Sequence, residues 1–413
     1  MHDMLLDMMI CLKVQSGRCS SIHHDEEEAR VRQRINMLRE FSIPLICGVA
    51  LALIWANHDP AGYHHFIHNR FFGSLSVHFI TNEIFMVLFF GIAAVEITQS
   101  CLPGGDLNPL RKAVNPLLAT FGGVVGPIAI YLLLNSLIGS GELSRGWGIP
   151  TATDIALAWL AARLVFGENH PAISFLLLLA IVDDAIGLAI IAVFYPDPSQ
   201  AVQLIWLVLV CVGMIIAWLL RSVRINSYWP YLVLGGSASW AGLYRAHLHP
   251  ALALVFIIPF LPHMRRENKH IFEEDLQDRS TLSQFEHEWK VVVDFGLFLF
   301  GLVNAGVEFT SIGTVTGLVF TSLVVGKTTG ICLWGYLGEI LGFSLPEGMH
   351  RRDLLVIGLI AGIGFTVSLF VAGEAFADQQ IQGAAKMGAL LSIIAGGAAM
   401  VVARMMGIKR SRS

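Results

Sequence analysis

Residues 171–195, PAISFLLLLAIVDDAIGLAIIAVFY, form one apolar run with two adjacent carboxylates at its middle. About twenty consecutive apolar residues span the hydrocarbon core of a bilayer, so the run predicts a membrane-crossing helix. Asp183 and Asp184 then lie near mid-membrane, where an ionisable side chain costs at least about 2.5–3.5 kcal/mol on insertion scales. Successive helical residues point about 100° apart, so both can border one water-filled cavity while neither neutralises the other. A solvated loop is the plainer alternative, and the leucines and isoleucines on either side argue against it. Carboxylates so placed mark a cation or proton pathway. Just upstream, IPTATDIALAW (149–159) sets Thr153 and Asp154 inside a second apolar segment.

The rest of the chain suits this pair of segments. Of 413 residues 55% are hydrophobic and 14% charged, against roughly 25% charged in a soluble domain, and the mean hydropathy is +0.65. These values predict an all-α polytopic membrane protein. The net charge of -4 says little, because in a membrane protein the position of each charge matters more than the sum. No basic tract with interleaved aromatics occurs, which argues against a nucleic-acid partner. Cys11, Cys19, Cys47, Cys101, Cys211 and Cys332 lie far apart with no CxxC, so free thiols are expected, and nothing calls for a cofactor. The short N-terminal patch MLLDMMICL is interrupted by Asp7 and lacks a positive flank, unlike a cleavable signal. Residues 1–40 read as a charged, exposed cytoplasmic extension.

Twelve apolar spans follow, at 41–57, 79–99, 113–137, 149–165, 171–195, 201–220, 228–244, 247–262, 287–305, 312–340, 353–376 and 384–404. With a cytoplasmic N-terminus, 21 of the 27 lysines and arginines fall on the cytoplasmic side, four on the other, and Lys290 and Lys327 within spans. That asymmetry puts both termini in the cytoplasm. It divides the chain into the extension at 1–40, a twelve-helix domain at 41–406 and a basic cytoplasmic tail at 407–413. The fourth span is broken at Thr-Ala-Thr-Asp, and the eleventh at the string from Ala361 to Ser368 that contains Gly362 and Gly364. Interruptions at corresponding places in two halves predict inverted repeats, here spans three to five and ten to twelve, with a site at the midplane. Glycine at such a crossing removes the side chain that would hold two backbones apart. Each broken helix leaves unpaired N–H groups at one half-helix start and unpaired C=O groups at the other's end. One carboxylate and one cation would balance them; Asp154 lies in one interruption, and Lys327 lies deep in span ten within VVGKTTGICLW.

GIPTATDIALA, AIVDDAIGLAI, VNAGV, VGKTTGI and AGIGFTVSLF, in this order within a stretch running from about residue 40 to the C-terminus, resemble the corresponding motifs of the NhaA sodium/proton antiporters. The resemblance implies that family's twelve-helix fold with two crossed discontinuous helices, a bacterial inner-membrane location, and exchange of cytoplasmic Na⁺ for external H⁺ in sodium and pH homeostasis. It implies no enzymatic activity, allows Li⁺ as cargo, and allows a homodimer in the bilayer. Asp183 and Asp184 become the ion- and proton-binding pair, with Asp184 the main ligand of the transported Na⁺ and Asp183 a partner of Lys327. Thr153, Asp154, Lys327, Gly362 and Gly364 serve the helix crossing and its charge compensation.

The sequence also departs from that family. A GLEVKRE-like motif usually ends span two; here AAVEITQS keeps Glu96, while Thr98, Gln99 and Ser100 replace the cations and the second acid. Glu286 and His287 match the family's Glu-His before span nine, but the His-Pro-Trp that follows is missing. Glu96, Glu286 and His287 are the expected pH-response residues, and with so few titrating neighbours they predict a shallow pH profile set by the Asp183–Asp184 pair itself. Asp294, four residues from Lys290, is expected to pair with it along the helix, and Asp294, Glu308 and Glu374 otherwise read as interfacial residues. The histidines at 58, 64, 65, 68 and 78 fix no helical face that would hold a metal. Other functions fit less well. An intramembrane aspartyl protease would need YD and GxGD strings, of which Gly104-Gly105-Asp106 is the nearest. A sodium-coupled solute symporter of the same architecture would need more polar residues in spans three and five. A transport-inactive paralogue is the third alternative, resting on the altered end of span two.

Overall fold

The computed structural model describes residues 42–72, 75–103, 107, 110–167, 170–196, 201–263 and 280–408. The extension expected at 1–40, the loop string at 104–106 and the tail from residue 409 lie outside the described residues. The elements in order are α1 (Ile43–His58), α2 (Pro60–His68), a hairpin of β1 (Arg70–Phe72) and β2 (Leu75–Ser76), α3 (Val77–Cys101) and α4 (Leu110–Ile138). There follow α5 (Gly141–Thr151), wound as a tight 3₁₀ helix, α6 (Ile155–Phe166), α7 (Pro171–Phe194), α8 (Leu204–Ser222), α9 (231–246) and α10 (Pro250–Phe260). The last are α11 (Thr281–Asn304), α12 (Thr314–Ile340), α13 (Arg351–Ala361), α14 (Thr366–Ala375) and α15 (Gln379–Met405). The small antiparallel hairpin is the one departure from an all-helical chain among the described residues.

Among the described residues six helices, α3, α4, α7, α8, α12 and α15, are long and apolar enough to cross a membrane. The pairs α5–α6 and α13–α14 are bent by 56° and 50° at short breaks and count as one span each, making eight. The remaining four of the twelve expected spans are also helical, and their shortfalls have physical reasons. Helices α1 and α10 are apolar but short, and α10 carries Pro250 and Pro259, which lack the N–H that a regular helix needs. Helix α9 holds Ser237, Ser239 and Arg245. Helix α11 carries Glu286, Glu288, Lys290 and Asp294, and begins at Thr281 instead of the expected 287 because the Ser280 side chain caps it, accepting from Ser283 N. Its charged first turns read as loop by hydropathy alone.

Two GxxxG strings fix the centre of the fold. Gly122 and Gly126 on α4 face Gly330 and Gly326 on α12, and a Cβ at Gly122 or Gly330 would strike the carbonyl of the other. A Cβ at Gly326 would come within 2.7 Å of Pro127 Cα. Small residues at this spacing let two membrane helices pack backbone to backbone. The contact sets Lys327: its stem passes over Gly123, whose Cβ would lie 3.8 Å from Lys327 Cε. A π-helical turn, Ser322–Gly326, immediately precedes the lysine, the kind of local widening that often marks a functional position in a helix. We expect Gly126→Val to force α4 and α12 apart at a cost of about 1–3 kcal/mol, typical of overpacking. The melting temperature of the purified protein in detergent should fall, whereas an unchanged value would show that the seam tolerates a side chain.

Candidate functional site

The two bent spans meet at their interruptions, and each loose backbone end finds a partner there. Asp154 caps its own half-helix, accepting from Leu157 N at 3.0 Å through Oδ1. Its second oxygen accepts from Thr366 N, the first residue of α14, at 3.2 Å. One buried carboxylate therefore serves the positive ends of both half-helices. Asp154 N donates to Ile363 O at 2.7 Å, joining the two breaks directly. At the opposite ends, Thr153 Oγ1 donates to Ala361 O at 3.0 Å, the last carbonyl of α13, and Lys327 Nζ donates to Thr151 O at 2.5 Å, the last of α5. A hydroxyl and an ammonium thus meet the carbonyl ends, where positive charge is favoured. The glycines permit the approach: a Cβ at Gly364 would lie 2.9 Å from Ala152 O, and one at Gly362 2.8 Å from Leu323 O. Ser392 Oγ, from the bend in α15, accepts from Gly364 N at 3.2 Å.

Helix α7 delivers the paired aspartates to this crossing. It starts sharply, with His170 capping Ala172 N and proline at its first position, then runs unbroken past residues 183 and 184. Asp183 and Lys327 are both fully buried, with Lys327 Nζ 2.5 Å from Asp183 Oδ2. The same oxygen accepts from Thr153 Oγ1 at 2.8 Å. Asp184, turned about 100° away, lines a cavity of about 650 Å³ together with Thr153, Asp154, Thr366 and the apolar walls of α1, α3, α6 and α11. Asp183 Oδ1 and Asp184 Oδ1 are buried and have no hydrogen-bond partner. Buried polar oxygens are ordinarily satisfied; two that no protein group satisfies suit a site that takes its cation or proton from outside. Carboxylate and hydroxyl oxygens are the ligands a hard cation prefers.

The cavity is lined as well by Glu96, Lys290 and Asp294. Lys290 Nζ is 3.5 Å from Glu96 Oε1 on α3 and 3.5 Å from Glu286 Oε1 one turn back on its own helix. Gln99 Nε2 holds the other oxygen of Glu286 at 2.7 Å. The spacing that suggested a Lys290–Asp294 pair also fits Glu286, four residues in the opposite direction; Lys290 lies 3.5 Å from both Glu286 and Glu96, and the charge of Asp294 acts on it as well. Asp294 stands beside them in the cavity wall, so it is no mere interfacial residue. His287 is exposed on the same helix. Sequence reasoning missed Gln99 as a structural partner, having read it only as the loss of a cation, and it missed Ser392. Glu308 accepts from Thr310 Oγ1 at 3.1 Å, and Glu374 lies 3.7 Å from His249 Nδ1 in a separate cavity of about 480 Å³ that also includes Glu83 and Arg245. Rings of His64 and His68 stack at 6.0 Å, and those of His68 and His78 lie 5.2 Å apart, tilted by 32°.

Comparison with known proteins agrees with this arrangement. Residues 34–403 match the family model described as Na+/H+ antiporter 1. The chain is 68% identical over 377 residues to the Na(+)/H(+) antiporter NhaA of Geobacter sulfurreducens, covering 91% of this chain and 98% of that one. It is 66% identical over 380 residues to Na(+)/H(+) antiporter NhaA 2 of Pelobacter propionicus, covering 92% and 100%. At greater distance, the Na(+)/H(+) antiporter NhaA of Jannaschia sp. is 42% identical, covering 91% and 98%. A solved sodium proton antiporter from Methanocaldococcus jannaschii aligns over 90% of the chain at a TM-score of 0.48 and 16% identity, too distant to bear on the site. The family model takes in both broken spans, the paired aspartates and the lysine seam in one continuous match, and the chain belongs to the Na+/H+ antiporter 1 family.

Proposed function

We propose that the protein is a secondary active transporter, exchanging cytoplasmic Na⁺ for external H⁺ across a membrane that it crosses many times. The observation that carries this reading is the different setting of two neighbouring aspartates: Asp183 is held by Lys327 and Thr153, while Asp184 faces the cavity. Asp184 is then the main cation ligand, with Asp183 joining it when Lys327 lets go. Proton and cation compete for the same oxygens, so binding of one releases the other, and that competition couples the two fluxes. The site must therefore titrate within the working pH range. Alternating access comes from one helix bundle moving against another around the crossing. Family membership and the relatives' names support Na⁺ and H⁺ as cargo. Li⁺ is a second cargo of similar chemistry; the bacterial inner membrane is the location that the family resemblance implies, and the lysine and arginine distribution supports both termini, with the 1–40 and 407–413 segments, in the cytoplasm. A homodimer is a further expectation of the family.

Proton movement driven by Na⁺, Li⁺ or K⁺ gradients in proteoliposomes, measured across pH, is the direct test. Asp184→Asn should abolish exchange while keeping or raising the melting temperature, since it removes a costly membrane-buried charge. Full sodium-driven proton movement by this variant would sink the mechanism. Lys327→Ala takes the counter-charge from Asp183, so protons compete better; apparent sodium affinity at fixed pH should weaken on the order of ten-fold. An affinity equal to the parent's would place the lysine outside the reaction.

The pH response is proposed to reside mainly in the aspartate pair, described by apparent values that belong to both residues. Glu96 and Glu286 share Lys290 at distances typical of weak, partly exposed ion pairs, about 0.2–1 kcal/mol each. Such couplings make a poor cooperative switch. Exchange rate against pH at saturating sodium should therefore be shallow, and Glu96→Gln should leave its steepness unchanged. A steep activation that flattens in this variant would instead assign the response to Glu96.

A further inference from the structure

Among the described residues that line the cavity, Lys290 is the single lysine or arginine, and the acidic members are Glu96, Asp154, Asp184 and Asp294. Its side chain is 39% exposed and its ammonium reaches two carboxylate oxygens at 3.5 Å each, well beyond the roughly 2.7–2.9 Å of a tight charge-assisted bond. Four side-chain carbons and loose contacts make a mobile charge on a short leash. The titratable groups that share the cavity with it are Glu96 on α3, Asp294 on α11, Asp184 on α7 and Asp154 before α6, with Glu286 one turn back on α11, while α1 contributes none. Gln99 occupies one oxygen of Glu286 and leaves the other for the lysine. A cleft with low-dielectric walls focuses the field of its charges, so a positive charge at the rim acts on any cation travelling to Asp184.

We propose that Lys290 is a tethered competitor cation: it sits where an arriving Na⁺ is attracted, offsets the negative field of the cavity, and thereby sets the apparent sodium affinity of transport. The proposal rests on the sodium/proton exchange reading above. It makes Lys290 a specificity-determining residue that acts through the field, not a ligand of the cargo. Removing one unit charge from such a partly solvated wall changes cation binding by roughly three- to ten-fold. Because the added negative field attracts protons as well, the effect on sodium is read at alkaline pH, where protons compete least.

The experiment uses the full-length protein in liposomes, with sodium titrated at alkaline pH. Lys290→Met should lower the apparent KM for Na⁺ roughly three- to ten-fold, with little change in maximal rate, and Lys290→Arg should keep the parent's KM. The difference between parent and Lys290→Met should shrink when choline chloride raises the ionic strength. A merely structural lysine would give none of this pattern: its loss would lower maximal rate or melting temperature without tightening KM. Should the methionine variant not be recovered folded, Lys290→Gln provides the same charge removal. An unchanged or raised KM in a folded neutral variant, beside a parent that exchanges sodium, overturns the proposal alone. A parent that moves no protons under a sodium gradient overturns the exchange reading and the proposal with it.

Discussion

A helix interrupted inside hydrocarbon exposes backbone groups that no water is present to satisfy, and this chain interrupts two. Everything at the centre follows from closing those ends. The two positive ends share Asp154, and the two carbonyl ends receive the Thr153 hydroxyl and the Lys327 ammonium. Because the lysine must stand at the end of α5, its partner must be within reach. Asp183 on the neighbouring continuous helix supplies that partner, and with it Asp184 arrives one position along, turned into the cavity. The proposed ion site is thus a by-product of backbone satisfaction: the groups that make a broken helix tolerable also hold a second carboxylate at the cavity wall.

The sequence made much of this legible, for reasons that separate cleanly by residue. Paired aspartates in a run of leucine and isoleucine cannot be accidental in a membrane, and a Thr-Asp or Gly-x-Gly string inside an apolar segment is a visible break. The proposed orientation rests on lysine and arginine counting alone, which needs no three-dimensional information. Helix α11 was harder to delimit, because hydropathy cannot tell a charged loop from a helix whose charges face a cavity. Lys290 shows a related limit: with acids at four residues before and four after, helical spacing offers two partners and gives no sign of the third, Glu96 on α3. Ser392 and Gln99 gave no signal, since a hydroxyl or amide becomes informative only once the group opposite it is known.

Glycines govern several pairings in this fold, among them the one that holds Lys327 and one that supplies walls of the cavity. Besides the α4–α12 seam, α1 and α11 pack so closely that a Cβ at Gly48 would strike the Phe298 carbonyl and one at Gly301 would come within 2.9 Å of Leu45 O. Helices interlocked carbonyl to glycine cannot slide or roll over one another without collision, so each pair behaves as a stiff plate. One plate holds Lys327 and, through the packing of α4 on α7, the aspartates; the other, with α3, supplies walls of the cavity. The cavity is lined by longer side chains such as Phe89, Trp159, Leu177 and Leu297, which can change rotamer and regain contact after a displacement. Among the described residues the cavity therefore lies where contacts are made by side chains and not by glycine-to-backbone packing, so side chains are the part that can yield in an opening or closing stroke.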